Sequence, residues 1–178
     1  MKQTKTHIVF DLEATCEDKA INPHFDNETI EIGAVKIVNG EIVDEFQNFI
    51  KPVRSNQLTE FCKNLTHITQ EQVENGLTFL EAISEFQKWA GENAEFLSWG
   101  FYDRKQLEKD LAYHGMSANW LCNHRSIKHE HQEIKGLSRG VGVIKALRME
   151  GLQFEGTHHR GIDDAKNIAK IFLKVFDE

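Results

Sequence analysis

Asp11 and Glu13 stand at the end of an apolar run, Ile8-Val9-Phe10. The run has no Pro or Gly, and its residue types favour a strand. Alternate side chains of a strand share a face, so Asp11 and Glu13 point the same way, about one repeat apart. Two like charges that close repel each other and lose hydration as the strand enters a core. A divalent cation removes that cost, and hard carboxylate oxygens suit Mg²⁺ or Mn²⁺. The competing account is that both acids simply emerge into solvent at the strand end. Partners elsewhere in the chain decide between the two.

Two further acids share this inward character. A helix is expected from about Tyr102 to His114, with Leu107 and Leu111 on its apolar stripe and Asp103 one step earlier on the same stripe. The last helix carries Ile168, Ile171, Phe172, Val175 and Phe176, and Asp164 sits four residues before Ile168 on that face. Asp163 lines up instead with Asn167, Lys170 and Lys174, so it reads as a cap or a surface acid at the helix start. Just before it, Gly156 to Gly161 forms a polar loop that holds His158 and His159. Four inward acids without counter-charge would destabilise a fold strongly. Two divalent ions would neutralise them. In sites of that kind the ions lie about 3.5–4 Å apart and stabilise the attacking and leaving oxygens of a displacement at phosphorus. A neutral histidine on the adjoining loop suits removal of a proton from the attacking water, and His158 and His159 both fit.

The elements that must position these groups alternate between strands and helices, an α/β pattern. Thr29 to Val38 reads as a second strand, Asn39-Gly40 as a hairpin turn and Glu41 to Ile50 as a third strand, with its alternation broken between Phe46 and Phe49. A short helix is expected after Thr69, capped with Gln72, and a longer one from Thr78, capped with Glu81 and ended by Gly91. Glu95 to Trp99 reads as a fourth strand and Trp120-Leu121-Cys122 as a fifth. Asn123 to Glu133 is polar and holds His124, His129 and His131. Their spacing with Cys122 matches no closed zinc pattern, so a solvated helix or loop is expected there. Ser138 or Gly140 to Met149 reads as a helix. Lys128, Lys135, Arg139, Lys145 and Arg148 make this stretch locally basic. They suit either a track for a phosphate backbone or a solvated face.

The totals bound the function class. At 178 residues with a formal net charge of −7, the chain does not coat nucleic acid by bulk charge. A metal site that neutralises phosphate locally remains compatible with that charge. Three cysteines without CxxC spacing point to a reducing compartment rather than a disulfide framework. No signal-peptide run and no apolar stretch of bilayer length is present, so a cytoplasmic location without membrane association is expected. No repeat, linker or low-complexity segment divides residues 1–178, which read as a single domain.

Three stretches together resemble a known family: Phe10-Asp11-Leu12-Glu13-Ala14-Thr15-Cys16, Leu65-Thr66-His67-Ile68-Thr69-Gln70-Glu71-Gln72-Val73, and His159-Arg160-Gly161-Ile162-Asp163-Asp164-Ala165-Lys166-Asn167-Ile168-Ala169. In this order, with an Asp opening a helix at Asp103, they are similar to the DEDDh 3′→5′ exonucleases, closest to the Eri1-like and KapD-like branch. The resemblance implies a ribonuclease-H-like mixed five-stranded sheet flanked by helices. It implies two Mg²⁺ or Mn²⁺ ions on Asp11, Glu13, Asp103 and Asp164, and His159 rather than His158 as the general base. It places the terminal nucleotide against Ala14 and Thr15, with Leu65, Ile68 and Tyr102 as further contacts. His67 stands where those relatives commonly carry glycine. The implied reaction removes nucleoside 5′-monophosphates from the 3′ ends of single-stranded RNA or DNA, RNA being favoured, with no obligate protein partner. The alternatives are the same site acting on short oligonucleotides or nucleotide esters, and a non-catalytic nucleic-acid-binding module.

Overall fold

Five strands form one mixed sheet in the computed structural model, which describes residues 5–176. The strands are β1 (Thr6–Ala14), β2 (Thr29–Val38), β3 (Glu41–Phe49), β4 (Glu95–Ser98) and β5 (Arg125–Ser126), in the spatial order β3-β2-β1-β4-β5. β1 is central, antiparallel to β2 and parallel to β4. The β2–β3 turn has Asn39 at φ 52° and Gly40 at φ 81°. Positive φ at both central residues matches the twist of the flanking strands, which is why Asn-Gly makes this hairpin. The expected break in β3 lies elsewhere: the register shifts between Lys36 and Ile37, opposite Asp44 and Ile42, leaving Val43 unpaired.

Helices cover both faces. On one, Ile8, Phe10 and Leu12 of β1 pack against α3 (Phe79–Ala90) and α4 (Tyr102–Tyr113) through Phe79, Ile83, Phe86, Leu107 and Leu111. On the other, Val9, Val35, Ile37 and Leu97 meet α5 (Ile127–Ile134), α6 (Val143–Met149) and α7 (Gly161–Phe176). The period-2 alternation of β1 therefore sends Asp11 and Glu13 to the α7 face. A third cluster, Ile30, Leu58, Cys62, Ile68 and Val73, holds α1 (Glu60–Thr66) and α2 (Gln70–Glu74) beside the end of β1.

The capping boxes form as expected: Thr69 with Gln72 opens α2 and Thr78 with Glu81 opens α3. Three readings are corrected. Residues 60–66 are a helix, capped by Thr59 accepting from the Cys62 N–H, where no element was expected. Asn119–Leu121 is a 3₁₀ turn, and the fifth strand is Arg125–Ser126. The histidine segment is largely a helix, as expected, but two of its histidines are buried rather than solvated. His131 is buried against Glu150 at 2.8 Å, and His124 meets the Ser98 hydroxyl at 2.8 Å, with burial pushing its pKa down to about 4. Only His129 of the three is exposed, and its ring stacks on Phe101.

Candidate active site

β1 outruns β4. The β1–β4 pairing covers His7 to Val9, so the Leu12 N–H has no strand partner on that side. Asp103, buried on the first turn of α4, accepts that N–H at 3.1 Å. One carboxylate oxygen is thus fixed by the strand end while its side chain reaches the edge of the acid cluster. This is the inward position that the Leu107–Leu111 stripe implies.

Opposite it, the first turn of α7 packs directly on β1 and β2. A Cβ on Gly33 would lie 2.0 Å from the Ile162 nitrogen, and one on Gly161 would lie 3.0 Å from the Asp11 carbonyl oxygen. Gly33 is also the register partner of Asp11. Two glycines 128 positions apart therefore let a helix start touch the strand that carries the acids. The contact brings Asp164, 3% exposed, over β1. One ligand atom from each of Asp11, Glu13 and Asp164 lies within 4.8 Å of the others. Among the described residues no other group of His, Cys, Asp or Glu meets that description.

The loop before α7 closes over this cluster. Asp164 accepts from the His159 backbone N–H at 2.7 Å, and its other oxygen meets His158 Nδ1 at 2.8 Å. His159 adopts φ 64°, which turns its ring back onto that of His158, 4.0 Å between centroids. Both histidines line a cleft of about 370 Å³ with Asp11, Glu13, Asp103, Asp164, Ala14, Leu65 and Tyr102.

Burial and mutual repulsion show in the protonation of the acids. Burial first, then Asp103, Glu13, Asp164 and Glu31, raise Asp11 well above the usual carboxylate range. Burial, then Asp164 and Glu31, push Glu13 up to about 9. Asp103 rises less, to about 6, because burial raises it while the Leu12 N–H favours its charged form. His159 is lowered by burial and by the neighbouring His158, which favours the neutral, proton-accepting ring.

The donor set fits hard divalent cations. Its oxygens are carboxylate, they converge, and without counter-charge Asp11 and Glu13 resist ionisation. A stability consequence follows. Glu13 is raised in the folded protein, so the fold holds a proton that the unfolded chain has lost. Stability of the metal-free protein therefore falls as pH rises from the unfolded carboxylate range towards about 9. In calorimetry with chelator, Tm should drop between pH 5 and pH 8. Mg²⁺ or Mn²⁺ should raise Tm more at pH 8 than at pH 5, and an equal rise at both would contradict the cluster.

Two residues assigned to substrate by resemblance sit elsewhere. Ile68 is 1% exposed in the α1–α2 cluster and does not line the cleft. Thr15 is equally buried: its N–H donates to the Glu28 carbonyl at 2.8 Å and its hydroxyl accepts from the Glu28 N–H at 2.9 Å, so its polar groups are already engaged. Ala14, Leu65 and Tyr102 do line the cleft, and Tyr102 is 54% exposed. His67 takes φ 58° at the C-cap of α1, a left-handed position where glycine is the unstrained choice. Of the basic stretch, Lys135 is engaged with Glu150, whereas Arg139, Lys145 and Arg148 are exposed.

The Exonuclease family profile, RNase_T, matches residues 8–172. The chain belongs to this exonuclease family. It is 30% identical over 174 residues to the probable 3′-5′ exonuclease KapD of Bacillus subtilis (strain 168), covering 97% of this chain and 85% of KapD. It is 29% identical to the human 3′-5′ exoribonuclease 1 over 96% of this chain, but spans only 52% of that protein. The crystallographic nuclease domain of 3′hExo, a DEDDh family member bound to rAMP, superposes with TM-score 0.91 at 28% identity, over 97% of this chain and 92% of that one. A 3′-exonuclease solved in recognition of the histone mRNA stem-loop superposes with TM-score 0.89 at 27% identity, over 98% of this chain and 64% of that one. This exonuclease domain accordingly has the DEDDh, ribonuclease-H-like fold and belongs with the 3′→5′ enzymes that depend on divalent metal.

Proposed function

We propose that this exonuclease shortens single-stranded RNA from its 3′ end, releasing nucleoside 5′-monophosphates. The observation that carries the reading is the convergence of Asp11, Glu13 and Asp164 beneath a two-histidine loop, with Asp103 fixed at the other side of the strand end. Asp11, Glu13, Asp103 and Asp164 would hold two Mg²⁺ or Mn²⁺ ions. Bound there, the ions supply the positive charge that stabilises the attacking and leaving oxygens at phosphorus. His159 is the general base: its ring, kept neutral by burial and by His158, takes the proton of the attacking water at an imidazole nitrogen. Asp164 orients that residue through the His159 N–H and holds His158 beside it. Leu65 and Tyr102 wall the cleft where the terminal nucleoside packs, and Tyr102 offers it a ring face. Arg139, Lys145 and Arg148 suit the approaching phosphates. RNA is preferred on the strength of the relatives whose names and titles specify it. The three free thiols suit a reducing cytoplasm.

The test is a 5′-labelled single-stranded RNA, and DNA of the same sequence, incubated with Mg²⁺, Mn²⁺ or chelator. The expected result is a metal-dependent ladder that recedes from the 3′ end, faster on RNA, and slowed by about 10²–10⁴-fold in His159→Ala. Intact strands after incubation with either metal would defeat the polymer reading and leave short oligonucleotides as the substrate class to assay.

A further inference from the structure

Glu31 is a fully buried acid beside the cluster, and the site described so far makes no use of it. It lies directly opposite Glu13 in the β1–β2 register, on the same face. Its environment nevertheless differs from that of the cluster acids. Its Oε1 accepts from Gln47 Nε2 at 2.7 Å. Its Oε2 accepts from the Gly161 N–H at 3.1 Å and from Arg160 Nε at 3.3 Å. Both oxygens face protein donors, and Glu31 stands outside the convergent group of Asp11, Glu13 and Asp164. The Arg160 guanidinium is held a second time, 5.4 Å over the Phe49 ring.

These contacts bracket His159. On one side its own N–H is taken by Asp164. On the other, the next two residues, Arg160 and Gly161, are taken by Glu31. Between the two carboxylates His159 is held at φ 64°, a conformation that an L residue adopts at a cost and keeps only when its surroundings fix it. A single carboxylate would leave one flank of that turn free.

We propose that Glu31 is a positioning residue for His159, clamping Arg160 and the first N–H of α7 so that the histidine ring stays aimed into the acid cluster. The inference rests on His159 being the general base. Glu31→Gln keeps the shape but removes the negative charge that holds the Arg160 guanidinium, and its amide nitrogen must either face the Gly161 N–H or make the Gln47 amide turn over. The Glu31→Gln enzyme, saturated with RNA and metal, should lose about 10- to 100-fold in kcat, the scale of a misplacement near 1 Å. Its KM for RNA and its half-activating metal concentration should stay within about 2-fold. Arg160→Ala, which removes one donor and leaves the Gly161 contact, should lose less and fold more readily.

A double-mutant cycle identifies the route. If Glu31 acts through His159, adding Glu31→Gln or Arg160→Ala to His159→Ala should slow the enzyme no further. Hydrogen exchange gives a readout independent of rate: the His159 amide should exchange at least about 10-fold faster in Glu31→Gln and in Arg160→Ala, while the Phe10 amide keeps its protection. Additive losses with unchanged His159 exchange would overturn the inference alone. A fully active His159→Ala would overturn the base assignment and this inference with it.

Discussion

Asp11→Asn should yield a protein that melts higher than wild type in chelator yet degrades RNA at least about 10³-fold more slowly. The two effects have one cause. Asp11 faces Asp103, Glu13, Asp164 and Glu31, all of the same sign, and burial adds to the penalty on its charge. An uncharged amide of the same shape removes that repulsion. Relief equivalent to one pKa unit is about 1.4 kcal/mol. For a chain of this size it corresponds to about 3–6 °C in Tm. The gain should be larger at pH 8 than at pH 5, because the unfolded wild-type chain gains more by ionising Asp11 at the higher pH while the fold resists that ionisation, and an amide carries no such cost. In the catalytic direction the same substitution removes an anionic oxygen from the convergent set. A bound cation contributes several kcal/mol of transition-state stabilisation, and each 1.36 kcal/mol is tenfold in rate. Calorimetry in chelator and a ladder assay with metal, run on one preparation, check both halves. A variant that lost activity and also melted lower in chelator would show Asp11 to be a structural acid instead.

The opposite signs of these effects explain what was legible beforehand. Asp11, Glu13, Asp103 and Asp164 each break a local rule: a carboxylate lies where the period of its own strand or helix demands an apolar residue. That conflict is local, so it can be read without knowing any contact, and conflicts of this kind gather at functional sites. Direction is likewise local, which is why Asp164 rather than Asp163 turns inward, while Asp163 accepts the Thr157 N–H at the surface. The strand alternation, the Asn39-Gly40 turn and both capping boxes depend on neighbours in sequence and were legible for the same reason.

What escaped depends on pairings between distant segments. Glu31 sits in Thr29-Ile30-Glu31-Ile32-Gly33, and its alternation alone does not reveal that it stands opposite Glu13. The β1–β2 register is joined through an irregular connection from residue 15 to 28, not a tight turn that would fix it. That connection is pinned from outside, by Glu28 accepting the N–H groups of Val53 and Arg54 and by Arg54 reaching the buried Asp110. Its pairing with Thr15 then engages the Thr15 N–H within the fold. The histidine segment read as polar because His124 and His131 each meet, through Nε2, partners 26 and 19 residues away, Ser98 and Glu150. Ile68 lies in the core and away from the cleft for a related reason: a Leu-Thr-His-Ile-Thr stretch does not tell which of its two apolar residues faces the cleft. The C-cap turn at His67 separates them, leaving Leu65 on the open side and Ile68 in the core.

Gly33→Ala should cripple the enzyme through a single methyl group placed outside the acid set. The new Cβ would lie 2.0 Å from the Ile162 nitrogen, 2.1 Å from the Gly161 carbonyl carbon and 2.4 Å from the Ile162 Cα. These are backbone atoms, so no side-chain rotation relieves the clash, and the start of α7 must retreat from the sheet. Gly33 does not have a positive φ, so alanine itself fits the strand and the cost is wholly steric. Overpacking of this kind typically costs about 1–3 kcal/mol, occasionally more. The functional cost is larger, because the retreating segment carries Asp164 and, through its carboxylate, the His159 loop. A displacement near 1 Å at a reacting group costs about 100-fold. Metal binding should weaken as well, since Asp164 leaves Asp11 and Glu13 behind, and that separates this variant from Glu31→Gln, whose metal requirement stays near wild type. Gly142→Ala is the matched control, because a Cβ there meets nothing within 4 Å. Isothermal titration with Mn²⁺, melting curves and ladder assays on the two alanine variants decide the matter. A Gly33→Ala enzyme with wild-type rate and metal affinity would mean that α7 need not touch the strand for the acids to converge. The pair Gly33 and Gly161 would then be an accident of packing and not the contact on which the site is built.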